Sequence, residues 1–346
     1  MNSWAYPTLL ADVGGTQLRF AIAESEEATP GLVRVLRTAE HRSLTEAAQA
    51  YLAGVGRGVR SPAGPAPPAT AAFAVATPVD AARHGPVRLT NIDFLIDGAE
   101  LIRRLELSAL WLVNDFEALA WSLPTLSTGE LEPIGTILPT FDGTMAVIGP
   151  GTGLGCAGLL RNASGWHAIP GEGGHVTLSG RTGFERDVLA AAADQLDHVS
   201  AEKLLSGIGM PLLYRAVAAV RGNPAASAPL PAPRDITARA LAGDDPLCIE
   251  VVETFFALLG GYAGNVALVY GATGGVLIGG GIAEHIPGLL ARSAFRSRFE
   301  DKGRFCGYLG AIGTARIMRA QPALDGLVYA LREARSSLPL QQAATE

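Results

Sequence analysis

Lysine is nearly absent from these 346 residues: Lys203 and Lys302 are the whole supply, and arginine carries the remaining positive charge. No Gly-Lys pair occurs, which removes the P-loop signature, and no lysine stands on an early strand, which removes the protein-kinase arrangement. A nucleotide, if bound, has to be held mostly by main-chain amides. Cysteine is scarce as well. Cys156, Cys248 and Cys306 are odd in number and far apart, so they form neither a disulfide framework nor a paired-cysteine zinc site, and a reducing compartment is expected. Uninterrupted hydrophobic runs of about 18 residues are missing, and the opening MNSWAYPTLLADVGG lacks the charged and apolar regions of a signal peptide. A net charge of -6 withholds the basic face that a nucleic-acid partner requires. These absences lead us to expect a cytoplasmic protein that acts on small molecules, with no nucleic-acid and no membrane partner.

What is present is apolar material: 48% of residues are hydrophobic and 17% charged, enough for a substantial core in a chain too long for one ordinary domain. Residues 8 to 23, TLLADVGGTQLRFAIA, predict two strands joined by a glycine turn, and residues 145 to 160, MAVIGPGTGLGCAGLL, repeat that layout. The echo suggests two related halves. Between them, the Pro- and Gly-rich stretch 57 to 70 predicts a loop before a buried strand AAFAVA, and Asp97 predicts the cap of a helix bearing Leu101, Ile102 and Leu105. Helical spacing covers 184 to 220 with a break near Gly207 and Gly209. A second loop is expected over 222 to 233, a long apolar helix over 246 to 269, a strand at Gly275 to Ile278 and a helix over Ala283 to Leu290. The class is α/β with two lobes.

Six segments carry candidate chemistry. The Asp12-Val13-Gly14-Gly15-Thr16 turn can aim amides at an anion, with Asp12 holding hydrated magnesium through water; its alternative is a plain hairpin turn. Gly149-Pro150-Gly151-Thr152-Gly153-Leu154-Gly155 alternates glycines without the dinucleotide spacing, so it suits a triphosphate better than a Rossmann site. Gly279, Gly280 and Gly281 follow a strand and can lie against a flat base or ribose, or serve only tight packing. Asn114-Asp115 closes the apolar strand LWLV, where a carboxylate can act as base, or Asp115 can cap the helix that follows. Glu172 and His175 stand among glycines in PGEGGH, as a sugar site needs or as a structural turn allows, and one histidine with one carboxylate makes a poor zinc site. Ser200 and Glu202 in HVSAE read locally as a helix start.

Taken in order, LADVGGTQLRFAIA, LTNIDF, VNDFEALA, GPGTGLGCA, PGEGGHV, HVSAEKLLSG and FEDKGRF resemble the bacterial glucokinase family, within the actin, Hsp70 and hexokinase superfamily, from about residue 8 to about residue 308. The three scattered cysteines do not match the zinc-binding, repressor-related branch. The resemblance implies a two-lobed ribonuclease-H-like (actin-like ATPase) fold with the active site in the interlobe cleft. It implies a small lobe of 1–113 plus about 318–346, a large lobe of 114–317, and a homodimer. It implies phosphorylation of the glucose 6-hydroxyl by ATP with Mg2+, as the first step of glycolysis. Asp115 matches the catalytic base. Asn114, Asp115, Glu172, His175 and Glu202 match sugar-holding residues, and Asp12, Gly14, Gly15, Thr16, Gly151, Thr152, Gly153, Gly155, Gly279, Gly280 and Gly281 match nucleotide contacts, with Asp12 also the indirect magnesium ligand. Where the family has an apolar strand and a GLLGA-like helix start, this chain reads AIGTARIMRAQPALDGLVYALREA, so a shifted, remodelled or partly lost closing element is expected. That departure motivates one alternative, a catalytically weak sugar-binding sensor; a kinase for another hexose using the same residues is a second.

Overall fold

Apolar runs bounded by glycine turns become the centres of two sheets. The computed structural model describes residues 4–61, 64–79, 86–89, 94–333 and 341–342. Its chain divides into two compact units, the first comprising Met1–Leu126, Arg161–Ala168 and Ala320–Glu346, the second Ser127–Leu160 and Ile169–Arg319. The expected two-lobed α/β class is therefore what forms. The LTNIDF segment keeps only its ends, because residues 90–93 lie outside the described residues, as do 62–63 of the Pro-rich loop.

In the first unit the sheet order is 341–342, 109–114, 70–75, 8–13, 17–23, 31–37. Thr8–Val13 runs antiparallel to Gln17–Ala23 and parallel to Thr70–Val75, which runs parallel to Ala109–Asn114. Strands paired in parallel are covered on both faces, which is why Thr70–Val75 is buried at every position. One face carries Leu9, Ala11, Phe20 and Phe73 against Leu44, Tyr51, Leu101 and Ile102 of the helices Leu44–Val55 and Gly98–Leu105. Phe20 and Tyr51 stack with ring centroids 5.2 Å apart. Asp97 caps the second of these helices as expected, accepting from the amides of Ala99 and Glu100.

The second unit repeats the plan in the order 131–133, 314–317, 275–278, 145–150, 154–162, 165–171. Met145–Pro150 runs antiparallel to Leu154–Asn162 and parallel to Gly275–Ile278, so the echo seen in sequence is an echo of topology. The helix Pro246–Tyr270 starts at a cap by Asp245 with proline in its first turn and ends at Gly271 in the left-handed region. Among the described residues it is the one helix long and apolar enough to cross a membrane, yet 67% of its apolar window is buried inside the protein, as in a core helix. Phe255 and Phe256 from it meet Phe295 and Phe299 in the core.

Three expectations need correction. The helix expected over Ala283 to Leu290 is two, Gly281–His285 and Pro287–Arg292, because Pro287 has no amide to donate and holds Ile286 out of helical geometry at φ -131 and ψ 48. The loop expected over 222 to 233 contains a short turn, Pro224–Ser227, and gives way at Pro233 to the helix Pro233–Ala242. The closing element is not lost: Thr314–Ile317 is a strand of the second sheet and Pro322–Glu333 a helix of the first unit that lies on Asp115–Ser122.

That last contact depends on Gly326. A methyl group there would overlap the Ala118 carbonyl oxygen and lie 2.8 Å from the Ser122 amide nitrogen. Gly326→Ala is expected to cost about 3 kcal/mol through forced separation of the two helices, read as a lowered urea midpoint; an unchanged midpoint would show that the helices do not need this approach.

Candidate active site

In the first unit, the turn after Thr8–Val13 is braced from one side. The Gly14 amide donates to the Gln17 carbonyl at 3.0 Å, and Thr38 donates its amide to the Thr16 carbonyl and its hydroxyl to the Gly14 carbonyl, both at 3.1 Å. These bonds occupy the Gly14 amide and the Gly14 and Thr16 carbonyls, and Gly15 and Thr16 are exposed. Asp12 lies at the strand end with its carboxylate 3.0 Å from Arg19 Nη1 and 18% of its side chain exposed. Burial raises its pKa and Arg19 pulls the other way, with burial the stronger influence.

Ala109–Asn114 ends at the second candidate. Asn114, not Asp115, is the helix cap: its Oδ1 accepts from the Phe116 amide at 2.9 Å and the Glu117 amide at 3.3 Å, and its Nδ2 donates to the Thr77 carbonyl at 3.3 Å. The capping alternative for Asp115 is thereby corrected. Asp115 is instead the first residue of the helix, where the aligned amides favour a negative charge, and its Oδ1 accepts from Phe116 at 2.9 Å.

The second unit brings the remaining candidates together. The Gly151 amide donates to Gly153 within the turn, while the Gly151 and Thr152 carbonyls accept from the amides of Gly207, at 2.8 Å, and Ile208, at 3.3 Å. Gly155 stands in the ladder opposite Gly149, so Thr152 and Gly153 are the turn residues with amides to offer an anion. Beside this turn, the Gly279 amide donates to Ile148, and Gly280, at φ +85, approaches so closely that a methyl would be 2.8 Å from the Pro150 carbonyl oxygen. Two expected nucleotide segments are thus neighbours.

Glu172, His175 and Glu202 also converge. The His175 ring places Nε2 3.7 Å from a Glu172 oxygen and Nδ1 4.0 Å from Glu202 Oε1, and 60% of the imidazole is exposed. Ser200 caps Ala201–Leu204 by accepting from Lys203, so the helix start needs nothing from Glu202. Glu202 Oε2 instead accepts from the Leu154 amide at 2.9 Å, a link to the glycine turn that nothing in the local sequence announces. Among the described residues no group of three metal-ligating side chains occurs, and the cysteines are free.

A model of the glucokinase family matches residues 9–334. The chain is 44% identical over 330 residues to the glucokinase of Aromatoleum aromaticum, covering 95% of this chain and 96% of that one. Among solved structures, a glucokinase from an Antarctic psychrotroph is 32% identical with a TM-score of 0.81, covering 95% of this chain and 99% of that one. A ROK-family glucokinase from Streptomyces griseus, solved with glucose and AMPPNP, shares the fold at a TM-score of 0.60 and 18% identity, covering 96% of this chain and 100% of that one.

One acidic group beside the candidate base is not singled out by sequence pattern. Burial pushes the Glu117 carboxyl up to about 7 from an ordinary 4.5, with the Trp121 indole pulling slightly downward. Between those values the unfolded carboxyl ionises while the folded one keeps its proton, so stability falls as pH rises through the window and stays lowered above it. Glu117→Gln keeps the shape and removes the ionisation. Thermal melts should therefore find the variant losing less stability than wild type between about pH 5 and about pH 8; parallel curves would mean that the carboxyl is not held neutral.

Proposed function

The chain belongs to the glucokinase family, and from that membership we propose how its residues transfer the γ-phosphoryl group of ATP to the 6-hydroxyl of D-glucose, giving glucose 6-phosphate and ADP. Asn114, Glu172, His175 and Glu202 hold the sugar hydroxyls. Asp115 accepts the proton of the 6-hydroxyl as that oxygen attacks the γ-phosphorus in line. The amides of Gly15, Thr16, Thr152 and Gly153, with the neighbouring Gly14, Gly151 and Gly155, face the phosphates, and Gly279 to Gly281 face the adenosine. Positioning and electrostatics supply nearly all of the rate enhancement in such a transfer.

The observation that carries the reading is the exposed His175 ring between two carboxylates, one of which is bonded to the glycine turn. Such a set offers both donors and acceptors to several hydroxyls, and hydroxyls left unpaired in a closed site are costly.

Magnesium fits this donor set in one way. With no all-protein cage among the described residues and Arg19 on one Asp12 oxygen, the carboxylate can face only a cation that arrives with the phosphates and keeps its waters. When bound, magnesium would supply positive charge to the phosphates, and Asp12 would hold it through its waters. In the cell the enzyme works in the cytoplasm as a homodimer and opens glycolysis. No observation favours a sensor or a kinase for another hexose, and the closing helix is in place.

Asp115→Asn is expected to lower kcat by a factor of about 100 to 10,000 while leaving glucose affinity within about threefold. ADP release with glucose, mannose, fructose, galactose and glucosamine, beside a glucose titration of the variant, checks both points. Wild-type turnover in Asp115→Asn would remove Asp115 as the base, and absence of glucose-dependent ADP release from the wild type would favour the sensor.

A further inference from the structure

Beneath the loop that carries Glu172 and His175 lies a cluster for which the transfer chemistry has no use. Cys156 comes from the strand Leu154–Asn162, and Tyr262 and Tyr270 come from the helix Pro246–Tyr270. Both phenol hydroxyls face the Cys156 sulfur. Burial raises the pKa of all three groups, Tyr270 to about 12, so the cluster is neutral and offers the sugar neither charge nor base. Tyr262 is 3% exposed, and its hydroxyl has no partner at hydrogen-bond geometry.

The geometry says what the hydroxyls touch. A methyl group built on Gly171 would stand 2.9 Å from Tyr270 Oη, with the next atom, the Cys156 carbonyl oxygen, at 3.9 Å. One built on Gly173 would stand 2.9 Å from Tyr262 Oη and equally close to Cys156 Cβ and Sγ. The Tyr270 ring also lies close over Gly158, where a methyl would be 2.9 Å from its Cδ1. The loop rests on phenol ends, and Glu172 lies between the two glycines that touch them.

We propose that Tyr262 and Tyr270 are positioning residues for the sugar subsite, their hydroxyls acting as stops that set the height of residues 171–175 and so the places of Glu172 and His175. The proposal rests on the reading of Glu172 and His175 as sugar-holding residues. It concerns the fit of the hexose, because the residues that the two phenols set are those read as holding the sugar.

A double-mutant cycle tests it. Gly171→Ala should raise the glucose KM by about tenfold and Tyr270→Phe by about threefold, with the ATP KM within about twofold of wild type in each. In the double variant the added methyl occupies the space that the hydroxyl leaves, so the glucose KM should return to within about threefold of wild type. Should Gly171→Ala fail to fold, recovery of soluble, active enzyme on adding Tyr270→Phe reads the same contact. A double variant no better than Gly171→Ala, or glucose and ATP KM rising together with the melting temperature falling, would overturn the proposal by leaving the tyrosine a merely structural part. Glu172→Gln measured alongside separates the premise: if it leaves the glucose KM unchanged, the sugar assignment fails whatever the tyrosine variants do.

Discussion

The hydrogen bond from the Leu154 amide to the Glu202 carboxylate fixes the second unit's site from both sides. One oxygen of Glu202 holds the end of the glycine turn and the other faces His175, so the turn and the imidazole share a single anchor. The amides of Gly207 and Ile208 complete the attachment by bonding the turn's carbonyls. With those carbonyls engaged, the turn cannot rotate its peptide planes freely, and the amides that remain keep a fixed direction. Pre-set donors of this kind act on developing charge without the cost of reorganisation. Gly153 matters for the same reason, since a methyl there would collide with the Glu202 carboxylate.

The first unit solves a similar problem with a division of labour between adjacent residues. Asn114 satisfies the helix amides and ties itself to the Thr77 carbonyl, which spares Asp115 from capping. The carboxylate can then sit at the helix start on a strand whose two faces are buried, held by rigid elements on both sides. The same economy applies at Thr38, which braces the Gly14–Thr16 turn through its carbonyls alone.

Much of this was legible because glycine and apolar pattern carry the information locally. The strand Gly275–Ile278 and the hairpins around Gly14 and Gly151 read directly, since a strand period of two and a glycine interruption leave few alternatives. The two-lobed class and the family came from seven short segments in order. Other features depend on long-range packing. Asn114 and Asp115 are equally good caps, and only the point where the strand ends decides between them. Glu202 reaches a partner 48 residues away. The break at Pro287 was visible as a residue but hidden by the apolar spacing around it, and the neutral burial of Glu117 is a product of tertiary contacts.

The helix Pro322–Glu333 that covers Asp115–Ser122 comes late in the chain, while the first unit's sheet is made near its beginning. On a ribosome the chain emerges in that order, and units fold as their residues become available. All of Ser127–Leu160 and Ile169–Arg319 therefore precedes the segment that covers the helix Asp115–Ser122. The cover of that helix is thus contributed by a segment far along the chain from the sheet it completes. A chain lacking Pro322–Glu333 would leave the face around Ala118 and Ser122 uncovered for chaperones and proteases to find.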